Sequence, residues 1–338
     1  MRTIVSLIDR FWFAEGSSIR LAVVRIIIGV YSLHCLTDRF DAYVRNARSN
    51  PALFEPVGPV AILSEPLSTE LFQTILLATV ILNVLFVLGI GHRLSGPLFG
   101  VALLWVLSYR NSWGNIYHTD NLLALQVLLL GLTRSADALS VDALRRSPRS
   151  DWPVDILRGW HFEMPARHWR YGFAVRLLCL VTTLSYFLSG VAKLAGPLGA
   201  SWGDGESLRA QVAFDVWRKE LLVDDHPTLI YAVYDQLWLF DLLAIGTLVI
   251  ELGAPLAALS GWLAALWVPS AFMMHLGILM LMGIEFGYQL SGVAFAPFVP
   301  WDRLLDWTGR ALRRLRTVPD SQAYSRHSVV PSVDPVEP

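Results

Sequence analysis

The sequence predicts an all-α integral membrane protein, a polytopic bundle of about eight transmembrane helices. Three observations predict this class: 54% of the residues are hydrophobic, only 16% are charged, and the mean hydropathy is +0.48. These values, together with 13 tryptophans, are typical of helical membrane proteins. The net charge of −1 and the lack of a basic groove pattern argue against a nucleic-acid partner.

Eight apolar runs supply the predicted spans, because a helix needs about 20 mostly apolar residues to cross a bilayer. The runs cover residues 19–37, 70–90, 94–109, 117–133, 173–194, 237–259, 261–283 and 286–300. The third, fourth and eighth runs are short for a full crossing. We therefore expect one transmembrane domain over residues 19–316, with the lipid bilayer as its surroundings.

The two ends of the chain differ from this domain in composition. Residues 1–18 carry Ile4, Ile8 and Phe11 at helical spacing, which predicts an amphipathic helix on the inner membrane surface. Residues 317–338 contain little that can form a core, which predicts a disordered cytoplasmic tail.

The basic residues predict the orientation of the chain. With the N-terminus inside, 18 of the 27 lysines and arginines lie on the cytoplasmic side and 7 outside, while Arg25 and Lys193 lie within spans. Cytoplasmic loops carry the excess of positive charge in membrane proteins. The distribution therefore favours a multi-pass protein of the cell (plasma or inner) membrane, with both termini in the cytoplasm.

Lys193 is one of only two lysines in the chain, and it closes an apolar run long enough to cross a membrane. A cation in such a run is costly to desolvate, so a functional role is the first hypothesis. The alternative is that Lys193 lies near the end of its span and extends to the headgroups. Asp120 is a candidate partner for Lys193, and Arg25 and Glu251 are expected to pair with each other nearer the inner side.

Other polar residues are predicted to lie at the depth of Lys193 on the outer side. They are Asn115, His118 and Asp120 in the turn after the third span, and His34, His275 and Glu285 in or near three other spans. Buried polar groups in lipid need partners, so we expect these residues to face a common cavity that opens to the outside. The alternative for His275 is a hydrogen-bonded core histidine.

Two segments of the sequence are similar to a known family. The segment Leu184-Ser-Tyr-Phe-Leu-Ser-Gly-Val-Ala-Lys193, followed by Trp202-Gly-Asp-Gly205, resembles the signature of the HTTM domain. That domain is the transmembrane module of vitamin K-dependent gamma-carboxylase. Ser112-Trp-Gly-Asn115 resembles the Ser-Trp-Asn-Asn turn of the carboxylase.

A third segment extends the resemblance. His275, followed by Phe286-Gly-Tyr288, resembles the later histidine segment of the carboxylase. The similarity runs from about Arg20 to Trp307, which is most of the chain. It implies an HTTM-like helical fold for the transmembrane domain.

The resemblance also implies roles for individual residues. Lys193 would be the general base that deprotonates a vitamin K-like quinol, His275 would orient the quinol, and Asn115 would hydrogen-bond its oxygen. An apolar setting favours the uncharged amine that such a base requires. Tyr186 and Trp202 would belong to the substrate or cofactor cavity, with an interfacial aromatic anchor as the alternative role of Trp202.

Three departures separate this sequence from the carboxylases. Ile116 stands where they have a histidine, and Ala192 stands where they have a second lysine. The large lumenal domain that binds the substrate peptide in carboxylases has no counterpart here. Bacterial HTTM proteins without that domain occur beside partner proteins, including in systems that mature secreted peptide toxins, so a peptide substrate or a membrane-associated partner fits the resemblance.

Two functions follow as hypotheses. The first is a membrane-embedded modifying enzyme with carboxylase-like (lyase-type) chemistry and Lys193 as its base. The second is a non-catalytic membrane component that binds a partner protein or lipid. A transporter ranks third because no inverted repeat is visible. The sequence has no metal-binding motif, phosphate loop or hydrolase nucleophile motif, so we expect no metal site.

Overall fold

A computed structural model of the protein describes residues 2–114, 116–146, 166–222 and 227–316. By the contacts of its backbone the chain divides into two units, Met1–Pro300 and Trp301–Pro338. The predicted tail, residues 317–338, lies outside the described residues.

Helices make up nearly all of the first unit. They are α1 (Arg2–Trp12), α2 (Ser18–Asp38), α3 (Phe40–Asn46), α4 (Thr69–Leu88), α5 (His92–Asn111), α6 (His118–Leu132), α7 (Val141–Arg146), α8 (Trp169–Ala195), α9 (Gly205–Leu222), α10 (Leu229–Val233), α11 (Leu237–Leu259), α12 (Gly261–Met282) and α13 (Gly287–Leu290). Within the described residues, short 3₁₀ helices cover Pro51–Leu53, Gly58–Ile62, Gly199–Gly203 and Val293–Phe298. The second unit contains α14 (Trp301–Arg316).

The long helices confirm the predicted fold class in its main feature. Five of them, α2, α4, α8, α11 and α12, are long and apolar enough to cross a membrane. The range predicted for the sixth span, 237–259, matches α11 at both ends. The third and fourth expected spans are the helices α5 and α6, but α6 is short and α5 opens with His92, Arg93 and Ser95.

The eighth expected span is not a continuous helix, and the prediction is wrong on this point. Residues 286–300 form the single turn α13 and a separate 3₁₀ helix. Gly292 between them has a φ of +75°, a left-handed conformation that ends a helix and favours glycine. Pro297 lacks the N–H that would continue α-helical hydrogen bonding beyond the break.

Side chains from two helices satisfy the backbone of this irregular segment. Arg20 at the start of α2 donates from Nη2 to the Pro297 carbonyl oxygen at 2.7 Å. Gln126 in α6 donates from Nε2 to the Ala294 carbonyl oxygen at 3.2 Å. Irregular backbone inside an apolar bundle is stable only where protein groups replace its missing hydrogen bonds, and these two side chains do so.

The helices of the first unit pack in two groups. In the first group, α4 and α6 each contact both α2 and α5. In the second, α8 packs along α11, which packs against α12. The 3₁₀ helix Val293–Phe298 contacts both α2 and α8 and so lies where the two groups meet.

Close glycine contacts set the spacing between α5 and α6. A Cβ atom added to Gly131 would lie 2.4 Å from the Gly96 carbonyl oxygen, and one added to Gly96 would lie 2.8 Å from the Gly131 oxygen. Small residues at such a crossing let two helix backbones approach, which is a common basis of packing between membrane helices.

The N-terminal segment is helical over a shorter range than the predicted 1–18. α1 ends at Trp12, and β1 (Gly16–Ser17) then pairs antiparallel with β2 (Arg167–His168). The Phe13 ring stacks on Phe173 in α8, with the ring centroids 6.1 Å apart. This end of the chain is therefore anchored to the first turns of α8.

Candidate functional site

The carboxyl end of α8 carries the segment Tyr186–Lys193 into contact with α11. The Lys193 Nζ atom lies 2.5 Å from Oε1 of Glu251, and the two side chains are 21% and 6% exposed. Both expected pairings are therefore wrong: Lys193 does not pair with Asp120, and Glu251 does not pair with Arg25. Asp120 pairs with Arg110 instead, at 2.6 Å.

The lengths of the helices explain why Lys193 meets Glu251. Glu251 lies fourteen residues after Leu237, the first residue of α11, or about 21 Å along the helix axis. α8 ends at Ala195, so its last turn lies beside the middle of α11 and not beside its start. The 3₁₀ helix Gly199–Gly203 and α9 pack along the rest of α11.

A glycine and a tryptophan complete the surroundings of the ion pair. A Cβ atom added to Gly190 would lie 3.0 Å from the Glu251 Cβ, so glycine at this position lets α8 and α11 approach closely. The indole ring of Trp202 lies 5.4 Å from the Lys193 Nζ, within the range of a cation–π interaction. Lys193 is thus held between a carboxylate and an aromatic face.

A second hydrogen-bonded pair lies about two turns before Lys193 on α8. The Tyr186 hydroxyl and the His275 Nε2 atom are 2.8 Å apart, and both side chains are buried. Trp267 packs edge-on against Tyr186, with centroids 4.9 Å apart, and Phe286 lies 4.7 Å from the His275 ring. A hydrogen-bonded core histidine, the alternative role for His275, accounts for the contact at Nε2. It does not account for Nδ1, which is buried and has no partner in the described residues.

The two pairs form one group, which we call the lysine cluster: Lys193, Glu251, Tyr186, His275 and Trp202. Tyr186 and Lys193 lie seven residues apart on α8, and their partners Glu251 and His275 lie on the neighbouring helices α11 and α12. Two buried polar atoms of the cluster, Glu251 Oε2 and His275 Nδ1, have no hydrogen-bond partner in the described part of the chain. The cluster therefore offers two unused polar atoms beside a titratable ion pair.

Two other predicted residues, Asp120 and Glu285, line a separate cavity of about 130 Å³. We call it the arginine cavity and define it by six lining residues, Tyr31, Arg39, Arg110, Asp120, Glu285 and Tyr288. The Arg110–Asp120 pair is largely buried, with side chains 11% and 8% exposed. The Arg110 guanidinium lies 3.7 Å from the centre of the Tyr117 ring, so this arginine is fixed from two sides.

Tyr43 on α3 supports the same pair from outside the cavity. Its ring lies 5.5 Å from the Arg110 guanidinium. Burial and the nearby Asp120 carboxylate raise the pKa of Tyr43 above its usual value. The hydroxyl therefore keeps its proton, and Tyr43 adds no negative charge that would compete with Asp120 for Arg110.

The structure divides the predicted site residues between these two places. Lys193, His275, Tyr186 and Trp202 belong to the lysine cluster, whereas Asp120 and Glu285 line the arginine cavity. The single common cavity expected from the sequence is therefore wrong. The segment 285–288 connects the two places, because Glu285 and Tyr288 line the cavity while Phe286 contacts His275.

Three predicted residues lie in neither place. His34 is exposed, because it lies opposite the face of α2 that buries Ser32 and Leu36. His118 begins α6, and only its backbone is described. Asn115 lies outside the described residues.

Sequence reasoning missed the partner of Lys193 and the two arginines of the cavity. Glu251 is visible in the sequence as an acid inside an apolar run, which is itself a signal of function. Its partner depends on how far α8 extends beside α11, and no local pattern gives that distance. Arg39 directly follows α2, and Arg110 lies in the last turn of α5. In the sequence, both are typical of arginines at the membrane surface.

Among the residues that the structure describes, no group of three His, Cys, Asp or Glu side chains is placed to hold a metal ion. Comparison of the chain with family models, curated proteins and solved structures found no match.

Proposed function

We propose that this chain is a membrane-embedded modifying enzyme with an HTTM-like, carboxylase-related transmembrane module. Lys193 is its general base, and the substrate proton comes from a lipid-soluble hydroxyl compound such as a vitamin K-like quinol. The segment Tyr186–Lys193 and the residues Trp202 and His275, which carry much of the family resemblance, supply four of the five members of the lysine cluster.

A topology of eight membrane passes with both termini in the cytoplasm completes this proposal. Two observations support it. The basic residues divide 18 to 7 in favour of the side that holds the termini. In addition, the segment 287–298 lies along α2 from Tyr31, beside Tyr288, to Arg20, beside Pro297, so the chain returns toward the end of the bundle where α2 begins.

The observation that carries the proposal is the Lys193–Glu251 contact at 2.5 Å with Oε2 of Glu251 unpartnered. Each buried ion loses several kcal/mol of hydration, so the neutral pair, an amine with a protonated carboxyl group, competes with the ionic pair. Transfer of one proton from Lys193 to Glu251 gives a free amine. The Nζ lone pair is then able to accept a second proton.

The proton transfer to substrate is balanced as follows. The O–H bond of the substrate hydroxyl breaks, its electron pair stays on oxygen, and a new N–H bond forms at Nζ. Glu251 holds the first proton throughout. The resulting oxyanion lies next to the Lys193 ammonium, which stabilises its charge. Nδ1 of His275 is the second unpartnered polar atom of the cluster, and the hydrogen bond between Tyr186 and Nε2 fixes the ring that carries it.

Ultraviolet spectroscopy of a bound quinol tests the base directly. A naphthohydroquinone is added under anaerobic conditions to purified protein, and its ionised form is followed by absorbance across pH. We expect the bound quinol to ionise at a lower pH than the free quinol with the wild type and with Lys219→Arg, which alters the only other lysine. Lys193→Arg keeps the charge but holds its proton, so it should abolish the effect.

Ionisation that is unchanged in Lys193→Arg would contradict the proposal. A second measurement covers the case in which the quinol does not bind. In Lys219→Arg, Lys193 is the only lysine, and mass spectrometry reports its modification by an amine-reactive reagent. A general base should react at neutral pH, where exposed lysines are protonated and slow. Modification only under alkaline conditions would exclude the base.

A second candidate function is a non-catalytic component that binds a peptide, a partner protein or lipid. The observation that favours this function is the Lys193–Glu251 ion pair, which links α8 to α11 and so stabilises their packing. The two candidates differ in their response to Lys193→Arg. A scaffold should keep its thermal stability and its binding in that variant, because arginine preserves the charge, whereas an enzyme should lose activity.

A further inference from the structure

Two of the four charged residues that line the arginine cavity form no ion pair with a residue that the structure describes. Arg110 and Asp120 neutralise each other at 2.6 Å. Arg39 and Glu285 also line the cavity, but neither forms an ion pair within the described ranges. One cation and one anion therefore remain open in the same small space.

We propose that the arginine cavity binds a compact zwitterion, with an anionic group on Arg39 and an ammonium group on Glu285, and that a phosphoethanolamine lipid headgroup is its natural occupant. This proposal concerns a site separate from the lysine cluster. It does not depend on Lys193 acting as a base.

The chemistry of the lining residues matches both charges of such a ligand. Arginine binds phosphate and carboxylate oxygens through paired N–H groups, and within the described residues those of Arg39 are not engaged in an ion pair. The ammonium end finds the Glu285 carboxylate and two tyrosine rings, Tyr31 and Tyr288, whose centroids are 4.9 Å apart. Aromatic faces attract cations within about 6 Å of the ring centre.

The lining of the cavity restricts what it can hold. Its volume of about 130 Å³ is room for a small polar group. A charged headgroup suits this space better than an acyl chain does, because an acyl chain brings no partner for the charges of Arg39 and Glu285. The cavity is thus suited to the polar end of a molecule whose remainder lies elsewhere.

The position of the cavity favours a lipid as the source of the zwitterion. Arg39 directly follows α2, Arg110 lies in the last turn of α5, and Asp120 lies in the first turn of α6. Glu285 follows α12 by three residues and is exposed. All four residues lie at helix ends, and the ends of membrane helices lie at the level of the lipid headgroups.

Titration of soluble short-chain lipids into the purified full-length chain tests the proposal. The probes are dihexanoyl phosphatidylethanolamine and dihexanoyl phosphatidylglycerol, which share a phosphate but differ in the ammonium group. We expect the ethanolamine lipid to bind the wild type about tenfold more tightly, the size of one hydrogen bond to a charged group. Binding is measured as the ligand-dependent rise in melting temperature.

The variants separate the two halves of the ligand. Arg39→Gln should weaken both lipids about tenfold, because both carry the phosphate, whereas Glu285→Gln should remove the preference for ethanolamine. Arg45→Gln, at an exposed arginine of the adjoining helix α3, is the matched control and should change neither. If Arg39→Gln proves unstable without lipid, Arg39→Lys keeps the charge and should bind with intermediate affinity.

Two results would overturn the proposal: equal affinity of the wild type for the two lipids, or a preference that survives both Arg39→Gln and Glu285→Gln. Free phosphoethanolamine distinguishes the sources. If it binds as tightly as the lipid and responds to the same variants, the zwitterion is a soluble one. If only the lipid binds, the occupant is a headgroup.

Discussion

Two buried cations of this protein, Arg25 and Lys193, have opposite kinds of partner. Arg25 is fully buried and donates to three backbone carbonyls, those of Ser135 at 2.6 Å, Leu139 at 2.6 Å and Val87 at 3.4 Å. Lys193 is partly buried and contacts a carboxylate. The first cation joins the ends of helices and loops, and the second joins the last turn of α8 to the middle of α11.

This difference determines what each cation is able to do. Carbonyl oxygens do not take up protons at ordinary pH, and arginine does not release its own, so the Arg25 site has a single state of charge. A lysine ammonium is able to release a proton and a carboxylate is able to accept one, so the Lys193–Glu251 contact joins a proton donor to a proton acceptor. A buried charge is therefore structural or functional according to whether its partner is able to exchange a proton with it.

Removal of Arg25 should give the largest effect on stability. Arg25→Met leaves one buried and two partly buried carbonyls without this donor, and we expect the free energy of unfolding to fall by about 3–5 kcal/mol. Arg93→Met, at an exposed arginine in the first turn of α5, is the matched control and should change it by less than about 0.5 kcal/mol. Denaturant titration in detergent measures both. Equal effects would remove the structural half of the comparison.

The Lys193–Glu251 pair should show a smaller effect, and one that depends on which partners are changed. Lys193→Met or Glu251→Leu alone should lower stability by about 2 kcal/mol, because each leaves a partly buried titratable group without its partner. The double variant should return to within about 1 kcal/mol of the wild type. The same titration measures all three proteins, and additive losses in the double variant would show that the two residues are not coupled.

The hydrogen bond between Tyr186 and His275 should contribute less again. Tyr186→Phe removes the hydroxyl and keeps the ring that packs on Trp267, so we expect a loss of about 1 kcal/mol. Thermal melting of the purified protein measures it. A loss as large as that of Arg25→Met would mean that the lysine cluster is primarily structural.

The smallest effect is expected at Asp142, near the Arg25 end of the bundle. Asp142 accepts hydrogen bonds from the backbone N–H groups of Gly91 at 2.9 Å and His92 at 2.8 Å. Partial burial acts to raise the pKa of Asp142, but these two hydrogen bonds and the neighbouring Arg145 and Arg146 outweigh it, so the pKa lies below its usual value.

The stabilisation from Asp142 should depend on pH. Because its pKa is lower in the folded state, the contribution is complete above the unfolded value near 3.9 and is lost as the pH falls through the folded-state value. Asp142→Asn should cost about 0.5 kcal/mol at neutral pH and nothing in strong acid. A pH-independent difference between the two proteins would exclude this origin.

The sequence allowed the helices to be predicted well because apolar runs are local properties. The range expected for α11 is correct at both ends, and α2, α4, α8 and α12 each contain or closely match their expected runs. The irregular segment 287–298 could not be predicted, because its carbonyls accept hydrogen bonds from Arg20 and Gln126, which are distant in the chain. Its hydropathy resembles that of a short span.

Four of the five residues of the lysine cluster were named from the sequence, but the ion pair that Lys193 forms was not. The grouping of Lys193 with Tyr186, His275 and Trp202 required only helical spacing and the order of motifs. The pairing of Lys193 with Glu251 depends on where α8 stops beside α11. The separation of Asp120 from Lys193 depends on Arg110, which lies closer to Asp120 than any other cation does. Both are properties of packing between distant helices.

The irregular segment 287–298 also has a consequence for how the protein is made. A continuous apolar helix is able to leave the insertion machinery by itself, since it satisfies its own backbone. This segment is not, because two of its carbonyls depend on side chains of α2 and α6. The segment therefore takes up this structure only once α2 and α6 are in place, so its folding depends on helices formed much earlier in the chain.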